Sequence, residues 1–390
     1  MLVAVAGGNL QGVEIAYLAR KAGWDVLVVD KNANVPASGM CPWFVQQDLC
    51  EEKHLGALFA KVDLLIPALE NDAALAALAR CALSNDIPFA FDPAAYNISS
   101  SKQASDDLFA RSGIPVPRAW PHCPPPVIVK PSRASGSEDI TIFNDRASVD
   151  DFLKQTNGEW VAQAYVEGPT YSLEVLGRHG DYFLPQVTDL HMDEQYDCRA
   201  VTAPSLLPAE QVAAFEKISL EIARLVDLNG LMDVEVVENN GALRVLEIDA
   251  RFPSQTPTAV YHSIGFNMVE ALGELFMHGH MPSAPDQGRA RGVVYEHIRV
   301  SEGVLRFAGE HIISNAGPLR RVPDFYGADE AITNCTEGRA DWVATLIVTG
   351  KDRQAAMDKR KQVLETIKHS FGLTGEFAAV NNSSQFVAHS

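Results

Sequence analysis

Apolar and polar side chains alternate along two neighbouring segments of the chain, residues 231–239 and 242–251. Because successive side chains of a β-strand point to opposite faces, this period of two predicts two strands, each with one apolar and one polar face. An Asn-Gly pair between the segments predicts that they form a hairpin. The polar positions are mostly acidic: Asp233 and Glu235 lie on the first strand, and Glu247, Asp249 and Arg251 lie on the second.

The loop of this hairpin determines whether the two acidic faces coincide. A two-residue Asn-Gly loop would place Glu235 beside Leu246 and turn Glu247 to the other face of the sheet. A three-residue Asn-Asn-Gly loop would place Asp233 opposite Glu247 and pair Glu235 with Val245, on the face that carries the other acids. We predict the three-residue loop, because it gathers the acids into one cluster.

Four carboxylates on one face repel each other unless a cation relieves the repulsion. Mg²⁺ is suited to this role, since it binds carboxylate oxygens together with the phosphate oxygens of a substrate. A solvated strand face is the alternative, and it explains the alternation of polar and apolar positions. It does not explain acids at nearly every outward position without any Lys among them. The pattern therefore predicts a divalent-cation site.

Strands and helices alternate in the first 100 residues, which predicts a parallel, Rossmann-like sheet. The predicted strands are 2–6, 24–29, 62–67 and 88–91. Ligands of such sheets bind at the carboxyl ends of the strands, where Gln11, Asp30 and Glu70 lie. The loop that starts at Gly7 departs from the Gly-x-Gly-x-x-Gly fingerprint, because Asn9 replaces its second Gly. This loop is either a nucleotide-binding loop or a plain tight turn.

An apolar strand that ends at Lys130 precedes a loop of small residues that includes Ser135. The backbone N–H groups and hydroxyls of such a loop can hold nucleotide phosphates while the lysine neutralises their charge. A lysine at the edge of a strand is the alternative interpretation. Another strand is predicted at 160–165, and the apolar spacing of residues 209–226 predicts an amphipathic helix.

The composition narrows the class of protein. The 390-residue chain has a net charge of −18 and a pI near 5.0, without a run of Lys or Arg, which argues against a nucleic-acid partner. Its six Cys are scattered without a CxxC pair, so neither a zinc site nor a disulfide framework is predicted. No apolar run is long enough to cross a bilayer, and the N-terminus lacks the pattern of a signal peptide. These features predict a cytoplasmic protein without a membrane partner.

The order of Lys130, the small-residue loop, residues 163–166 and the acidic hairpin resembles the ATP-grasp superfamily. Members of this superfamily have a Rossmann-like N-terminal domain followed by two α+β lobes that clamp ATP. The resemblance implies an α/β fold of this kind. The implied divisions are a Rossmann-like domain at 1–98, a small ATP-grasp lobe at 99–170, a large lobe with the hairpin at 171–373 and a loose tail at 374–390.

The resemblance also implies the residues of the ATP and metal sites. Its hallmark is a strand acid followed by Glu-x-Asn, which Glu235 and Glu247-Ile-Asp249 match with Asp in place of Asn. These three acids would bind Mg²⁺. Residues 163–166 would form the hinge against adenine, where Gln163-Ala164 replaces the usual Glu-Glu start, and Glu167 is a candidate acid for the ribose. The implied ATP-binding residues are Lys102, Lys130, Ser135, Gln163, Ala164, Tyr165, Val166, Glu167, Leu10, Gln11 and Asp30.

Longer motifs resemble one family within the superfamily, the pyrrolysine-biosynthesis ligases. The motifs are Gly7-Gly-x-Leu-Gln-Gly12, Val29-Asp-Lys-Asn32, Asp193-Glu-x-Tyr-Asp-Cys198 and Glu247-Ile-Asp-Ala-Arg-Phe-Pro-Ser-Gln-Thr-Pro257. The resemblance covers residues 2–372, with Asn9 in place of a usual Lys. It implies an ATP-dependent ligase that joins the carboxylate of 3-methyl-D-ornithine, or D-ornithine, to the ε-amine of L-lysine through an acyl phosphate.

The substrate-binding and catalytic residues also follow from this resemblance. Those that match positions for the ornithine-like substrate are Ser172, Glu174, Asp233, Ser254 and Thr256. Gln11 and Glu70 could hold L-lysine, and Asp233 would accept the proton of its amine. Arg251 would form a fork to the substrate carboxylate or the transferring phosphoryl group. A structural salt bridge from Arg251 to Glu235 or Glu247 is the alternative. Residues 193–197 are expected to form an acidic lid or a solvated loop.

The sequence leaves three functions open. The first is the diamino-acid ligase, and the second is another ATP-grasp enzyme, such as a ligase for different amino acids or a carboxylase. The third is a nicotinamide-dependent dehydrogenase or a non-catalytic nucleotide-binding protein, against which Asn9 and the acidic hairpin count. The resemblance implies ATP and Mg²⁺ as cofactors and small amino acids as partners. A homodimer is an expectation.

Overall fold

The computed structural model describes residues 1–133, 139–283, 285 and 290–374. Within these residues the chain forms a parallel N-terminal sheet, a small antiparallel sheet and a large antiparallel sheet, with helices packed against them. This mixed architecture confirms the predicted α/β fold class. Ser135 and residues 375–390 of the predicted tail lie outside the described residues.

The elements of the N-terminal region are β1 (Leu2–Ala6), α1 (Leu10–Lys21), β2 (Asp25–Asp30), β3 (Trp43–Gln46), α2 (Glu52–Phe59), β4 (Leu64–Pro67) and α3 (Asp72–Ser84). The strands pair in parallel in the order β3-β2-β1-β4. One face of this sheet packs with α1 and the other with α2 and α3. Both faces are therefore buried, which explains why β1 and β4 are almost continuous apolar runs.

The edges of this sheet differ from the sequence prediction. Strand β3 was not predicted, because it lies at the edge, is only partly buried and shows no clear alternation. The predicted strand at 88–91 is reduced to a parallel bridge between Leu65 and Phe89. Pro88 has no N–H to donate to a ladder, and Asp92 already caps the next helix. The segment therefore makes two hydrogen bonds to Leu65 and turns away.

Two helices lead into the small sheet, whose strand order is β6-β5-β7 with antiparallel pairing. The elements here are α4 (Pro93–Ser99), α5 (Lys102–Ser112), β5 (Val127–Pro131), β6 (Thr141–Phe143), α6 (Arg146–Gln155) and β7 (Trp160–Ala164). Val127, Val129 and Val149 form its small core with the aromatic rings of Phe152 and Trp160. Strand β5 therefore presents Lys130 on the side that faces the rest of the molecule, where it reaches Leu246.

The large sheet and its helices occupy the remaining described residues. The elements are β8 (Thr170–Arg178), β9 (Asp181–Phe183), β10 (Thr188–Met192), β11 (Cys198–Ala203), α7 (Ala209–Leu225), β12 (Asn229–Asn239), β13 (Ala242–Asp249), α8 (Thr256–Ile264), α9 (Met268–Gly273), β14 (Gly292–Ser301), β15 (Val304–Phe307), α10 (His311–Ser314), β16 (Arg320–Pro323), β17 (Glu330–Thr333), β18 (Trp342–Gly350) and α11 (Arg353–Phe371). The strand order is β13-β12-β8-β10-β11-β14-β18-β17-β16, with β9 paired to β8 and β15 to β14. The acidic hairpin thus lies at one edge, and the amphipathic helix predicted at 209–226 is confirmed as α7.

The register of the hairpin corrects the predicted loop. The turn is the two-residue Asn240-Gly241, both with positive φ, and Asn239 pairs with Ala242. The prediction of a three-residue loop was wrong, because Asn-Gly favours the tight turn that matches strand twist. Farther along, a β-bulge inserts one extra residue, Leu246, between the partners of Glu235 and Val236. An inserted residue reverses the face of the sheet to which the following side chains point. The bulge therefore returns Glu247 and Asp249 to the face of Asp233 and Glu235, which the two-residue loop alone would not do.

Helix α1 connects the N-terminal sheet with the large sheet, because it packs against α8 and α9 as well as against β1 and β2. Its buried face includes Ile15 and Leu18 together with the polar side chains of Glu14 and Tyr17. None of the helices within the described residues combines the length and apolar character needed to cross a membrane.

Candidate active site

The acidic face of the hairpin forms in the structure. Asp233 lies opposite Asp249, and Glu235 lies opposite Glu247, across β12 and β13. Burial and the neighbouring acids raise the pKa of Glu235 well above its ordinary range. Burial also raises the pKa of Asp249 to about 7, although Arg251 acts in the opposite direction. Burial is the main cause of both raised pKa values, and the nearby cations offset it only in part.

Two lysines approach the acidic face from the small lobe. Lys102 Nζ lies 3.0 Å from Glu247 Oε1, and Lys130 Nζ donates to the Leu246 carbonyl over 3.2 Å. Ser101 caps helix α5 and its hydroxyl lies 3.1 Å from the Ser132 hydroxyl, so the start of α5 is fixed against the end of β5. The structure therefore brings together the two lysines that were predicted at the phosphates, beside the predicted metal ligands.

Arg251 joins the hairpin to the N-terminal region. Its Nη2 lies 2.8 Å from Glu70 Oε1 and 2.9 Å from Asp249 Oδ2. Gln11 Nε2 donates to the same Glu70 oxygen over 3.2 Å. Burial alone would lower the pKa of Arg251, but Asp249 and Glu70 raise it above its ordinary value. The alternative salt bridge to Glu235 or Glu247 is not the contact observed.

A second acidic pair lies deeper in the sheet. Asp233 pairs with Glu174 across β12 and β8, and the Ser172 hydroxyl donates to Asp233 Oδ1 over 2.5 Å. Burial raises the pKa of Asp233 to about 6. Burial and then Asp233 raise the pKa of Glu174 to about 8, while the nearby Thr256 hydroxyl acts weakly against them.

Glu174 is completely buried, and neither of its carboxylate oxygens makes a hydrogen bond of normal geometry with a described residue. The Thr256 hydroxyl is buried and unpaired by the same criterion. Buried polar atoms are nearly always paired in folded proteins. Such a carboxylate can accept hydrogen bonds from a ligand ammonium group, which would supply both the missing donors and the missing charge.

The segment from Ser254 to Thr256 is held by a residue that the sequence analysis did not identify. Glu310 Oε2 accepts hydrogen bonds from the Ser254 hydroxyl, over 2.6 Å, and from Gln255 Nε2, over 2.8 Å. Gln255 has φ 68° and ψ −59°, which is unfavourable for a residue with a side chain. Glu310 precedes α10 and stands more than 50 residues from these partners. No spacing or periodicity could have linked it to them.

The predicted hinge and glycine loop occupy the ends of β7 and β1. The N–H groups of Ala164 and Tyr165 donate to the carbonyls of Arg118 and Pro126, and Gln163 is buried. The Glu167 carbonyl accepts from Asn239 Nδ2 over 2.7 Å. These bonds tie the segment that continues through Val166 to both lobes.

The glycine loop before Leu10 is held by Asp30. One Asp30 carboxylate oxygen accepts from the N–H of Gly8 and the other from the N–H of Asn32, each over 2.8 Å. Both oxygens of Asp30 are therefore already used inside the loop region.

The acidic loop at 193–197 folds onto the segment that carries Glu310. Asp193 Oδ2 accepts from the Gly309 N–H over 2.9 Å, and Asp197 Oδ2 accepts from the His311 N–H over 3.0 Å. His311 Nδ1 also lies 2.5 Å from Asp197 Oδ2. The loop is therefore anchored to the protein and is not simply solvated.

The fold and this arrangement of lysines and acids define an ATP-grasp protein. A family model described as an ATP-grasp domain matches residues 99–255. The chain also resembles the biotin carboxylase domain of the Hydrogenobacter thermophilus 2-oxoglutarate carboxylase, with a TM-score of 0.71 and 16% identity over 94% of this chain and 89% of that one. At that identity the likeness shows the fold alone.

Relatives of known activity identify the family within this class. A Methanosarcina mazei 3-methyl-D-ornithine–L-lysine ligase is 36% identical over 95% of this chain and 96% of its own. The enzyme of that name from Methanosarcina barkeri is 37% identical over 95% of this chain and 98% of its own. The chain therefore belongs to the family of 3-methyl-D-ornithine–L-lysine ligases, which are ATP-dependent carboxylate–amine ligases.

Proposed function

We propose that this protein uses ATP to join the carboxylate of 3-methyl-D-ornithine, or of D-ornithine, to the ε-amine of L-lysine. The observation that carries the proposal is the buried, unpaired carboxylate of Glu174 next to Asp233, on the sheet that also bears the acidic hairpin. A diamino acid carries two ammonium groups in addition to the carboxylate that reacts. A pocket of buried acids beside a phosphate-binding site suits this chemistry.

The phosphate end of the site would be held by the two lysines and a metal ion. Lys102 and Lys130 would contact phosphate oxygens, as point charges that neutralise them. Glu235, Glu247 and Asp249 fit Mg²⁺, because they offer only carboxylate oxygens, on one face, and the acids around Glu235 outweigh its nearby lysine. These three carboxylates would hold the ion, which would supply electrostatic stabilisation for phosphoryl transfer.

The diamino acid would lie between Glu174 and Arg251. Glu174 and Asp233 would accept hydrogen bonds from an ammonium group, together with the hydroxyls of Ser172 and Thr256. Arg251 would orient the substrate carboxylate, because its guanidinium presents several donors in a fixed plane. Ser254 would contact the same substrate through its hydroxyl.

L-Lysine would approach from the N-terminal region. Gln11 belongs to α1, and Glu70 belongs to the segment after β4. Gln11 donates to Glu70, which in turn pairs with Arg251. Their amide and carboxylate groups suit the ammonium and carboxylate of an amino acid. Asp233 has a pKa near 6, so it is ionised at neutral pH and could accept the proton that the lysine amine loses.

The reaction has two steps, a phosphoryl transfer and then the formation of the amide bond. A carboxylate oxygen of the diamino acid forms a bond to the γ-phosphorus, the bond to the β,γ-bridging oxygen breaks, and ADP leaves with that electron pair. The lysine amine then forms a C–N bond at the acyl carbon, and the C–O bond to phosphate breaks. The amine proton passes to a carboxylate, and the products are the amide, ADP and phosphate.

We also propose the domain divisions, further ATP-binding residues, the cellular compartment and the oligomeric state. We propose the domain divisions 1–98, 99–170 and 171–373, which the three sheets support. The ATP-binding set would include the hinge Gln163 to Val166, together with Glu167, Leu10 and Asp30. The described cysteines form no disulfide bond, which supports the proposal that the protein works in a reducing cytoplasm. A homodimer is part of the proposal; the carboxylase domain that shares this fold forms a dimer in its own structure.

The decisive experiment measures phosphate release from ATP and Mg²⁺ with D-ornithine and L-lysine, each alone and both together, followed by mass analysis. We expect phosphate release to require both amino acids and the product to have the mass of ornithyl-lysine. Turnover with other amino acids but not with this pair would favour a different ATP-grasp carboxylate–amine ligase. Absence of ATP binding would refute the assignment of the site.

A further inference from the structure

Glu14 is a buried carboxylate on α1 that the proposed chemistry does not use. The residue is 1% exposed, and burial raises the pKa of its carboxyl to about 7, although bonds from Thr258 and the Gln255 backbone offset part of the effect. Burying an ionisable group is costly unless specific partners compensate it. The partners of Glu14 therefore indicate what the side chain does.

Those partners lie at the start of α8, more than 240 residues away in the sequence. Glu14 Oε1 accepts a hydrogen bond from the Thr258 N–H over 2.6 Å, and the Tyr295 hydroxyl lies 3.5 Å from Oε2. The N–H groups in the first turn of a helix have no acceptor within the helix, and a negative charge there is favourable. Glu14 thus provides the cap of α8 from another part of the molecule.

Helix α8 needs such a cap, because its own N-cap residue does not provide one. The Gln255 side chain makes no capping hydrogen bond. Its amide instead donates to Glu310 Oε2 over 2.8 Å and to the Cys198 carbonyl over 3.4 Å. The positive φ of Gln255 persists only if surrounding contacts enforce it. Glu14 supplies one such contact through the Thr258 N–H, and Glu310 supplies another through the Gln255 side-chain amide.

Helix α1 also carries part of the other amino-acid site. Gln11 lies three residues before Glu14 on the same helix and bonds to Glu70, which in turn pairs with Arg251. One helix therefore contacts the two segments that we assign to the two amino acids. A displacement of either segment relative to the other would change the distance between the reacting groups.

We propose that Glu14 is a positioning residue for the condensation, and that by capping α8 from α1 it fixes Ser254 and Thr256 where the diamino acid needs them. The proposal rests on the proposed function for the identity of the substrate. Glu14 contacts Thr258 and Tyr295, which we assign neither to the ATP site nor to the reacting groups. Its effect should therefore appear in the KM for the diamino acid and not in the KM for ATP.

The test compares Glu14→Ala and Glu14→Gln with Tyr17→Phe as a matched control. Tyr17 is on the same buried face of α1. Its hydroxyl donates to Glu330 over 2.7 Å and lies 2.7 Å from His262 Nε2, which is near the C-terminal end of α8 and away from its start. We expect Glu14→Ala to raise the KM for D-ornithine roughly 10-fold or more, since small misplacements of a bound substrate are costly. Glu14→Gln keeps an acceptor oxygen and should restore most of this loss. Tyr17→Phe should lower the melting temperature without changing any KM.

Amide hydrogen exchange of the peptide that contains Ser254 to Thr258 provides a readout that is independent of the substrate. Exchange should accelerate in Glu14→Ala and stay near the wild-type rate in Tyr17→Phe. Equal loss of thermal stability in both variants, with unchanged KM values and unchanged exchange, would overturn the proposal. Wild-type protein that forms no ornithyl-lysine would overturn the proposed function, and the exchange measurement would still decide whether Glu14 holds the segment.

Discussion

Glu235 and Glu330 lie near opposite ends of the same large sheet, yet their surroundings differ. Glu330, on β17, receives two hydrogen bonds from Arg321, over 2.6 and 2.9 Å, and further bonds from Lys21 and Tyr17. Burial alone would raise its pKa, but these partners lower it to about 2. Glu235, on β12, has acids as its main neighbours, and burial together with Asp233 and Glu247 raises its pKa.

The contrast separates two uses of a partly buried carboxylate. Where a carboxylate is fully paired, its removal leaves cations without a partner and destabilises the fold. Where carboxylates are crowded together without enough cations, the folded protein bears a cost that a bound cation or ammonium group can relieve. Glu296 follows the first pattern through its two hydrogen bonds from Arg360. Glu174, Glu235 and Asp249 follow the second, and this difference supports our proposal for the ligand-binding end of the sheet.

The largest expected effect is the loss of activity on changing Glu235 to Gln. If Glu235 is a metal ligand, Glu235→Gln should reduce the rate of ATP-dependent product formation roughly 10³-fold. This corresponds to a loss of several kcal/mol of transition-state stabilisation. The melting temperature of the ligand-free protein should stay the same or rise, because a buried carboxyl group crowded by other acids is replaced by a neutral amide. Steady-state kinetics and thermal unfolding of the same preparation measure both. A large loss of thermal stability would show that Glu235 supports the fold instead.

The second largest effect should be a loss of stability without a loss of activity. Glu330→Gln, the same chemical change on the same sheet, should lower the free energy of unfolding by about 3 kcal/mol, because it leaves Arg321 and Lys21 without their shared partner. Activity per folded molecule should remain close to wild type, since Glu330 contacts none of the proposed substrate residues. Urea unfolding at 25 °C and kinetics below the unfolding midpoint test this. Similar stability of the Glu235→Gln and Glu330→Gln proteins would abolish the distinction between the two groups.

The acidic face could be predicted from the sequence because its evidence is local. A period of two places Asp233 and Glu235 on one face of the first strand, and Glu247 and Asp249 on one face of the second, regardless of what each strand pairs with. The correct register could not be predicted in the same way. Leu246 resembles any apolar strand residue, and its bulge depends on how both strands pair in three dimensions.

Residues supplied by distant segments were missed for a related reason. Glu310 and Glu14 reach the segment from Ser254 to Thr258 only through tertiary contacts. In sequence, Glu14 is one polar residue on a mostly apolar helix, and Glu310 precedes a short helix without any motif. Strand β3 was missed because an edge strand carries a weaker hydrophobic pattern than a buried one. A sequence pattern thus shows the face that an element presents but not the distant residue that contacts it.

The smallest effect concerns pH and follows from the raised pKa of Glu174. Its folded-state pKa of about 8 lies above the ordinary value of 4.5. The stability that its protonated form contributes is therefore fully present below about pH 4.5 and is lost as the pH rises through about 8. The lowered pKa of Glu330 acts the other way: its contribution is present above pH 4.5 and is lost as the pH falls toward 2.

Between pH 6 and 8.5 the two groups should therefore be distinguishable in ligand-free protein. Glu174→Gln removes the titrating group, so the variant should gain stability relative to wild type as the pH rises, by roughly 1–2 kcal/mol across this range once coupling to Asp233 is considered. Glu330→Gln should differ from wild type by a constant amount over the same range, because Glu330 is ionised throughout. Urea unfolding at several pH values measures both differences. If the Glu174→Gln and wild-type curves run parallel, Glu174 is already ionised and compensated in the ligand-free protein, and it would not be the carboxylate reserved for a substrate ammonium group.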